Sequence, residues 1–527
     1  MEDRLETDRL TRIHGRLALH RRDLIAMASG TAVASIGRHA VAQATPRRGG
    51  ILRVAGNTNP SSMDPQTGGS GSDHVFLYPF FDTLVDFELE TLQAKPGLAE
   101  SWSNPDPKTL ILNLRSDVLF HDGTPLDAAA VKFNLDRARS DPRSNIKGDL
   151  VTVESVETSG PLQVTLRLKQ PDSALLLILS DRAGMMMSPK AIQELGKDND
   201  RRPIGAGPMK LVSWVDNEKV VGTRWEKYWK KDQPWLDGIE ISVIHEINTG
   251  LRSVIGGQND FVYFLSPQQK PIVERSKGLV AVSGPTLYCV KIFLNFGRPP
   301  LDDVRLRRAL NYAIDREAFA KATMAGLSEV ATTVLPKVHW AFDPALTNFY
   351  PYDPDKAKAL LAEAGHAGGF DLPLIGYGDQ RQQQRQEVLI EQLGKVGIRP
   401  KFTQFSLPEG SAAFFAKHEG AGLLSQWTGR PDPSLTFTLL YGKDSYFNSG
   451  RVEAVPEIGP ALLATRATAD LAERKRAFAA LQRIVLDQAL SVPLLFQFEL
   501  DAHTTKVKGF KPNLLGKPRF DGVWLDT

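Results

Sequence analysis

The side chains best suited to chemistry are scattered along this 527-residue chain. It has one cysteine, Cys289, so it can form neither an internal disulfide nor a cysteine-based zinc site. Its ten histidines are dispersed, and beyond residue 44 no two lie within ten positions of each other. No GxxxxGK[ST] loop, GxGxxG turn, GxSxG elbow or HExxH helix is present. His121 sits in Phe120-His121-Asp122-Gly123-Thr124, which reads as a turn at a strand end with a surface histidine, not a metal ligand. Triads can assemble from distant positions, so these absences lower the expectation of an enzyme without excluding one. No catalytic residue, metal or cofactor is expected.

The elements that would position such groups read as a mixture of strands and helices. Gly50–Ala55 is predicted to be a strand, followed by a polar loop from Asn57 to Pro65. Leu110/Leu112/Leu114, Val164/Leu166/Leu168 and Ile239/Ile241/Val243 alternate as half-buried strands do. Ser159-Gly160-Pro161 marks the turn of a hairpin between Val151–Glu157 and Leu162–Lys169. Helix signals dominate the second half. Asp302 or Asp303 can cap a helix carrying Leu306, Leu310 and Ala313, and Asp315 can cap the next. Asp353-Pro354 opens a short helix that Gly365 ends. Glu387–Val396 and Leu471–Gln488 are amphipathic, and Ile398–Phe405 follows the first as a strand. Strands alternating with helices predict an α/β fold.

Composition bounds the class. Hydrophobic residues make up 42% and charged residues 24%, as in soluble globular proteins, and the length allows several domains. The net charge of +3, from 64 basic and 61 acidic residues, gives no electrostatic case for nucleic-acid binding. The N-terminus carries an address. Leu24–Gly37 is an apolar stretch too short to span a bilayer. It is preceded by Arg21-Arg22 and followed by Ala42-Gln43-Ala44, a small-x-small cleavage site. This predicts a signal peptide over residues 1–44, of the twin-arginine type, with no lipobox cysteine. Cleavage removes seven arginines and five acidic residues and leaves a formal charge of about +1. The expected location is the periplasm.

Several motifs occur in a fixed order: Pro96-Gly97-Leu98-Ala99-Glu100-Ser101-Trp102; Phe120-His121-Asp122-Gly123-Thr124-Pro125; Gly205-Ala206-Gly207-Pro208; Trp225-Glu226-Lys227-Tyr228-Trp229; Pro300-Leu301-Asp302-Asp303-Val304-Arg305 leading to Ala309–Arg316; Tyr352-Asp353-Pro354; and Pro431-Asp432-Pro433 with Val507-Lys508-Gly509-Phe510. In this order the chain resembles the large extracytoplasmic solute-binding proteins of peptide- and nickel-type ABC importers, the dipeptide- and oligopeptide-binding family (family 5). The resemblance implies two α/β lobes joined by hinge strands. Lobe I is expected over 45–289, with an inserted subdomain near 76–199, lobe II over 290–499, and a return to lobe I over 500–527. Trp102, Trp225, Tyr228 and Trp229 are expected in cores and lobe contacts. It further implies a monomeric, non-enzymatic binder that closes on a small, peptide-like solute and hands it to an inner-membrane permease and ATPase complex. An opine, an oligosaccharide, a chelated metal, or a sensor or enzyme role on the same fold are the alternatives.

The resemblance places the cleft lining at Asn57, Thr58 and Asn59, at the hinge segment from Tyr288 to Asn295, and around Trp427, Arg430 and Asp432. Peptide binders of the family carry an aspartate three residues after the tryptophan, where it holds the ligand's ammonium group. Here Trp427-Thr428-Gly429-Arg430-Pro431-Asp432-Pro433 is one residue shorter and has Arg430 at that place. Asp432 corresponds to the acidic residue before the proline, a structural position. An arginine favours a carboxylate over an ammonium group.

Overall fold

The computed structural model describes residues 45–526 apart from 444, 449 and 451–454, so the signal-peptide reading lies outside the described residues. The opening strand, Ile51–Gly56, buries Leu52 and Val54 and runs parallel to Gly238–Val243 and Phe261–Val262. It lies inside a seven-stranded sheet ordered Leu279–Gly284, Glu499–Thr504, Phe261–Val262, Ile51–Gly56, Gly238–Val243, Lys219–Arg224, Met209–Val215. A six-stranded sheet is ordered Ser328–Val330, Ser491–Gln497, Tyr288–Leu294, Gly422–Thr428, Phe370–Tyr377, Ile398–Phe405. A four-stranded antiparallel sheet, Ala99–Asp106, Thr109–Leu114, Gln163–Leu168, Val153–Gly160, stands apart from both. Each sheet has its own hydrophobic core.

The chain passes between the two large sheets through residues 285–287, and again through Phe498, which separates Ser491–Gln497 from Glu499–Thr504. These crossings form the waist of the molecule.

Local chemistry explains most element boundaries. Asp303, Asp315 and Asp353 each cap a helix by accepting a backbone N–H from Arg305, Ala318 and Lys356. Pro354 takes the first helical position, and Gly365, at φ +83°, lies just past the end in the left-handed conformation that glycine adopts without strain. Phe370–Tyr377, the helix Gln380–Gly394 and Ile398–Phe405 form a parallel strand–helix–strand unit. That helix starts seven residues before the expected Glu387, because Asp379 caps it by accepting the Gln382 N–H. The expected hairpin is present, but its first strand runs through Ser159 and Gly160, and the turn falls on Pro161-Leu162.

Gly207 presses on the Phe80–Phe81 backbone, where an added Cβ would lie 2.4 Å from Phe80 C. Beside it, His121 departs from its expected exposure. It sits in a turn but is buried, with Nε2 2.9 Å from the Gly207 carbonyl and its ring edge-on to Trp225. Burial lowers its pKa to about 4, so it is a neutral packing residue. Tyr228 and Trp229 both donate to buried Asp82, at 2.8 and 2.6 Å.

Candidate functional site

Ligands of parallel α/β sheets bind beyond the carboxyl ends of the strands. In the seven-stranded sheet that end carries Asn57 and Thr58, which follow Ile51–Gly56. It also carries Glu499 and Asp501, since Asp501 lies beyond the Val262–Ala502 pair of the antiparallel neighbour. In the six-stranded sheet the facing end carries Tyr288, paired with Thr428, and Trp427. The side-chain oxygens of Asn57 and Thr58, Trp427 Nε1 and Glu499 Oε2 are buried without a hydrogen-bond partner. Buried polar atoms are nearly always satisfied in folded proteins, so unpaired donors and acceptors around the waist suit a polar ligand.

The expected lining residues separate into groups. Asn57, Thr58, Tyr288, Trp427 and Arg430 come to the waist. Asn59 is spent on the Met209–Arg224 hairpin: its Oδ1 accepts the Asn217 N–H at 3.0 Å, and its Nδ2 donates to Asp216 at 3.3 Å. Asn295 does not join them. It lies past the far end of Tyr288–Leu294, roughly 20 Å along the strand, and donates to the His418 carbonyl. Asp432 is fully buried and caps the helix Pro433–Tyr441, accepting from Ser434 N and Oγ and, at 3.0 and 2.8 Å, from Arg474 Nη2. It is therefore structural, as its place before the proline suggested, and its expected place in the cleft lining does not hold, because its carboxylate is fully buried against Ser434 and Arg474. The Trp427 ring packs on Phe447 and Phe293.

Arg430 opens onto a cavity of about 370 Å³. On its own side the wall is Thr428 to Pro431; on the other it is built from Gly68–Gly71, His74, Asp149, Asp181, Arg182 and Lys517. His74 Nε2 is hydrogen-bonded to Asp181, and Lys517 Nζ lies 3.3 Å from His74 Nδ1. Burial lowers the His74 pKa and brings Lys517 down to about 8. Burial also opposes the Asp181 carboxylate, but His74, Lys517 and Arg182 together hold it well below the usual range. Arg182 is bound to Asp73 at 3.1 Å and to the carbonyls of Gly68 and Ser70. Water reaches Asp149, yet its carboxyl is pushed up to about 6, first by the protein crowding out solvent and then by Asp181, against the pull of Arg430.

Sequence reasoning missed Asp149, Asp181, Lys517, Glu499 and Asp501. Burial raises Asp501 to about 7 and Glu499 well above its usual range, and no cation forms an ion pair with either among the described residues. Arg385, on the helix Gln380–Gly394, is also buried, has no carboxylate partner among the described residues, and donates to Gln497 Oε1 at 3.3 Å. Among the described residues no group of three or more His, Cys, Asp or Glu could hold a metal ion.

The wall that carries Asp149 and the wall that carries Arg430 also meet away from the waist. Asp172 accepts both Nε and Nη2 of Arg466, at 2.9 and 3.1 Å, and the Ser173 N–H donates to the Arg466 carbonyl.

The family model for bacterial extracellular solute-binding proteins, family 5 Middle, matches residues 93–448. The glutathione-binding protein GsiB of Escherichia coli O1:K1 / APEC is 30% identical over 511 residues, covering 94% of this chain and 96% of that protein. Two solved structures share the fold. The ABC transporter substrate-binding protein CtaP of Listeria monocytogenes superposes with a TM-score of 0.82 at 21% identity, over 91% of this chain and all of that one. HbpA2 of Haemophilus parasuis gives 0.80 at 22%, with the same coverage.

Proposed function

The chain belongs to the bacterial extracellular solute-binding proteins of family 5, and from that membership we propose that it captures a peptide-like solute in the periplasm and delivers it to an ABC importer. The observation that carries this reading is the cavity of about 370 Å³ walled from both sides by charged residues, beside unpaired polar atoms at the strand ends. The partners of those atoms would be the main chain of an extended solute, whose hydrogen bonds give affinity without demanding one side chain. The GsiB relative is named for binding glutathione, a small modified peptide, which fits this class.

Capture proceeds by closure. The two crossings act as hinge strands, and the solute stabilises the closed form by touching both walls. The work is binding and release, with no bond made or broken. Arg430, standing where a family aspartate would hold an ammonium group, faces an anionic oxygen of the solute. The twin-arginine leader exports the protein, which then acts as a monomer.

Native mass spectrometry of the protein purified from its own periplasm tests the reading directly, because a captured solute should co-purify. Small-angle scattering with that solute should show a smaller radius of gyration than without it. Calorimetry should show Arg430→Ala binding roughly 30- to 4000-fold more weakly, the effect of removing one partner from a desolvated charge pair. No co-purifying solute and identical scattering curves would defeat the proposal. Changing Arg21 and Arg22 to lysine should keep the precursor in the cytoplasm.

A further inference from the structure

We infer that the buried carboxyl pair of Glu499 and Asp501, at the waist, is a cation subsite that takes an ammonium group of the solute. This rests on the solute-binding reading above and adds a second subsite to it, apart from the Arg430 cavity.

The pair stands out among the buried acids. Every other buried aspartate or glutamate among the described residues is ion-paired with an arginine or a lysine. Glu499 and Asp501, 5% and 2% exposed, have no such partner among them. Asp501 accepts the Phe264 N–H at 3.3 Å, and Glu499 Oε2 accepts nothing. A carboxylate taken out of water without a counter-charge is costly, so two of them side by side point to a cation that arrives from outside the chain.

Strand register brings more acceptors to the same place. Glu499 and Asp501 lie two positions apart on Glu499–Thr504, so their side chains leave one face, roughly 7 Å apart along the strand. His503, on that face too, stacks on Phe261. The Phe261–His503 pairing, continued along the chain, sets Tyr263 beside Asp501. The Tyr263 hydroxyl is buried without a partner over Gly56, where an added Cβ would lie 2.7 Å from it. Asn57 Oδ1 and Thr58 Oγ1, also unpaired, follow Gly56 directly. All these atoms are oxygens that can accept, and an ammonium group offers three donors with a positive charge. Glu499 adjoins both crossings, following Phe498 and pairing with Gly284, the residue before 285–287. Parting of the lobes opens the pair to the cleft, and closure shuts it round its cation.

The Arg430 cavity does not suit this group. Arg430 and Lys517 line it without an ion pair among the described residues, so its open charges favour an anion. Asp149, on the same cavity, is exposed to water and needs no cation from the solute.

The groups facing the pair leave it uncompensated. Burial keeps Tyr263, Tyr288 and His503 neutral, and the charge of Arg381, on the helix Gln380–Gly394, reaches Glu499 without an ion pair. Burial therefore leaves protons on the empty pair, raising Asp501 to about 7. An arriving ammonium displaces a proton, so binding and proton release are linked.

Calorimetry on the purified exported protein tests this with trialanine and N-acetyl-trialanine, in EDTA so that no metal ion takes the place of the ammonium. Trialanine should bind roughly tenfold or more tightly than the acetylated form. Glu499→Gln and Asp501→Asn should each weaken trialanine roughly tenfold or more and leave N-acetyl-trialanine within threefold. In lightly buffered solution at pH 6.5, trialanine should release about one proton as it binds and the acetylated form none. That readout needs no variant, and a purely structural pair would not give it. Free and blocked peptides binding within threefold of each other, no proton release, or no binding of trialanine would each overturn the inference. A solute in the native mass spectrum with no cationic group would overturn it too, while leaving the solute-binding reading in place.

Discussion

Arg466→Ala should loosen the closed form without touching the solute. The Asp172 carboxylate is fully buried and accepts four donors: Arg466 Nε and Nη2, Thr152 Oγ1 at 2.6 Å and Ala174 N at 3.1 Å. The Arg466 side chain is 14% exposed. Removing one partner of a pair that stays buried costs ~3–5 kcal/mol. Here the penalty is smaller, because Thr152 and Ala174 stay in place and Asp172 regains water when the walls separate. Losing the two charge-assisted hydrogen bonds then costs about 2 kcal/mol, charged against the closed state alone. Since the solute binds that state, its dissociation constant should rise roughly 30-fold. Calorimetry reads the affinity, and scattering at subsaturating solute should show a larger radius of gyration than the wild type. Arg466→Lys, which keeps the charge but loses the fork, should fall between the two. A change of less than threefold in a normally folded variant would show that this contact does not favour closure.

Asp432→Asn should act on stability. It leaves Arg474, 7% exposed, without its carboxylate, at a cost of ~3–5 kcal/mol that a lower urea midpoint will show. Where the variant folds, solute affinity should stay within threefold. The buried carboxyls at the waist make stability depend on pH. Asp501 is raised to about 7 from an unfolded value near 4. The native state therefore holds a proton that the unfolded chain gives up, and the stabilisation is complete below about pH 4 and lost as pH rises through 7. Urea unfolding should show stability falling across that interval, and Asp501→Asn should flatten the slope and add on the order of 1–3 kcal/mol at pH 7.5. Cys289 is fully buried, with its thiol pushed up to about 12 by burial, so a thiol reagent should modify it only after unfolding.

What the sequence made legible follows the range of the interactions involved. The caps at Asp315 and Asp353 are set by atoms within three residues, and pattern alone places them. The helix Gln380–Gly394 is half visible: its C-terminal turns carry Val388, Leu389 and Leu393, whereas Gln380–Gln384 has no apolar stripe and buried Arg385 reads as a solvated charge. The α/β class was legible in the alternation of strands and helices, whereas the two-lobe fold came from motif order, because the residues that carry the motifs, such as Gly207 against Phe80, are fixed by packing. The candidate site was partly legible for the same reason. Arg430 stood out as a departure from a family pattern. Asp149 lies within a short helical turn, Lys147–Leu150, where a carboxylate usually faces water, and only the tertiary approach of residues 428–431 gives it a partner wall. Asn59 reads like its neighbours Asn57 and Thr58 until the Met209–Arg224 hairpin claims its amide.

The second crossing has a consequence for biosynthesis. Glu499–Thr504 lies inside the first sheet, between Leu279–Gly284 and Phe261–Val262, and Ser491–Gln497 lies inside the second, between Ser328–Val330 and Tyr288–Leu294. A ribosome that has made 490 residues has therefore completed neither sheet, and the nascent chain presents two open slots whose strand edges can pair with other chains. The last strands close both halves at once. Truncated products stay marked by unpaired edges, which proteases and chaperones can read.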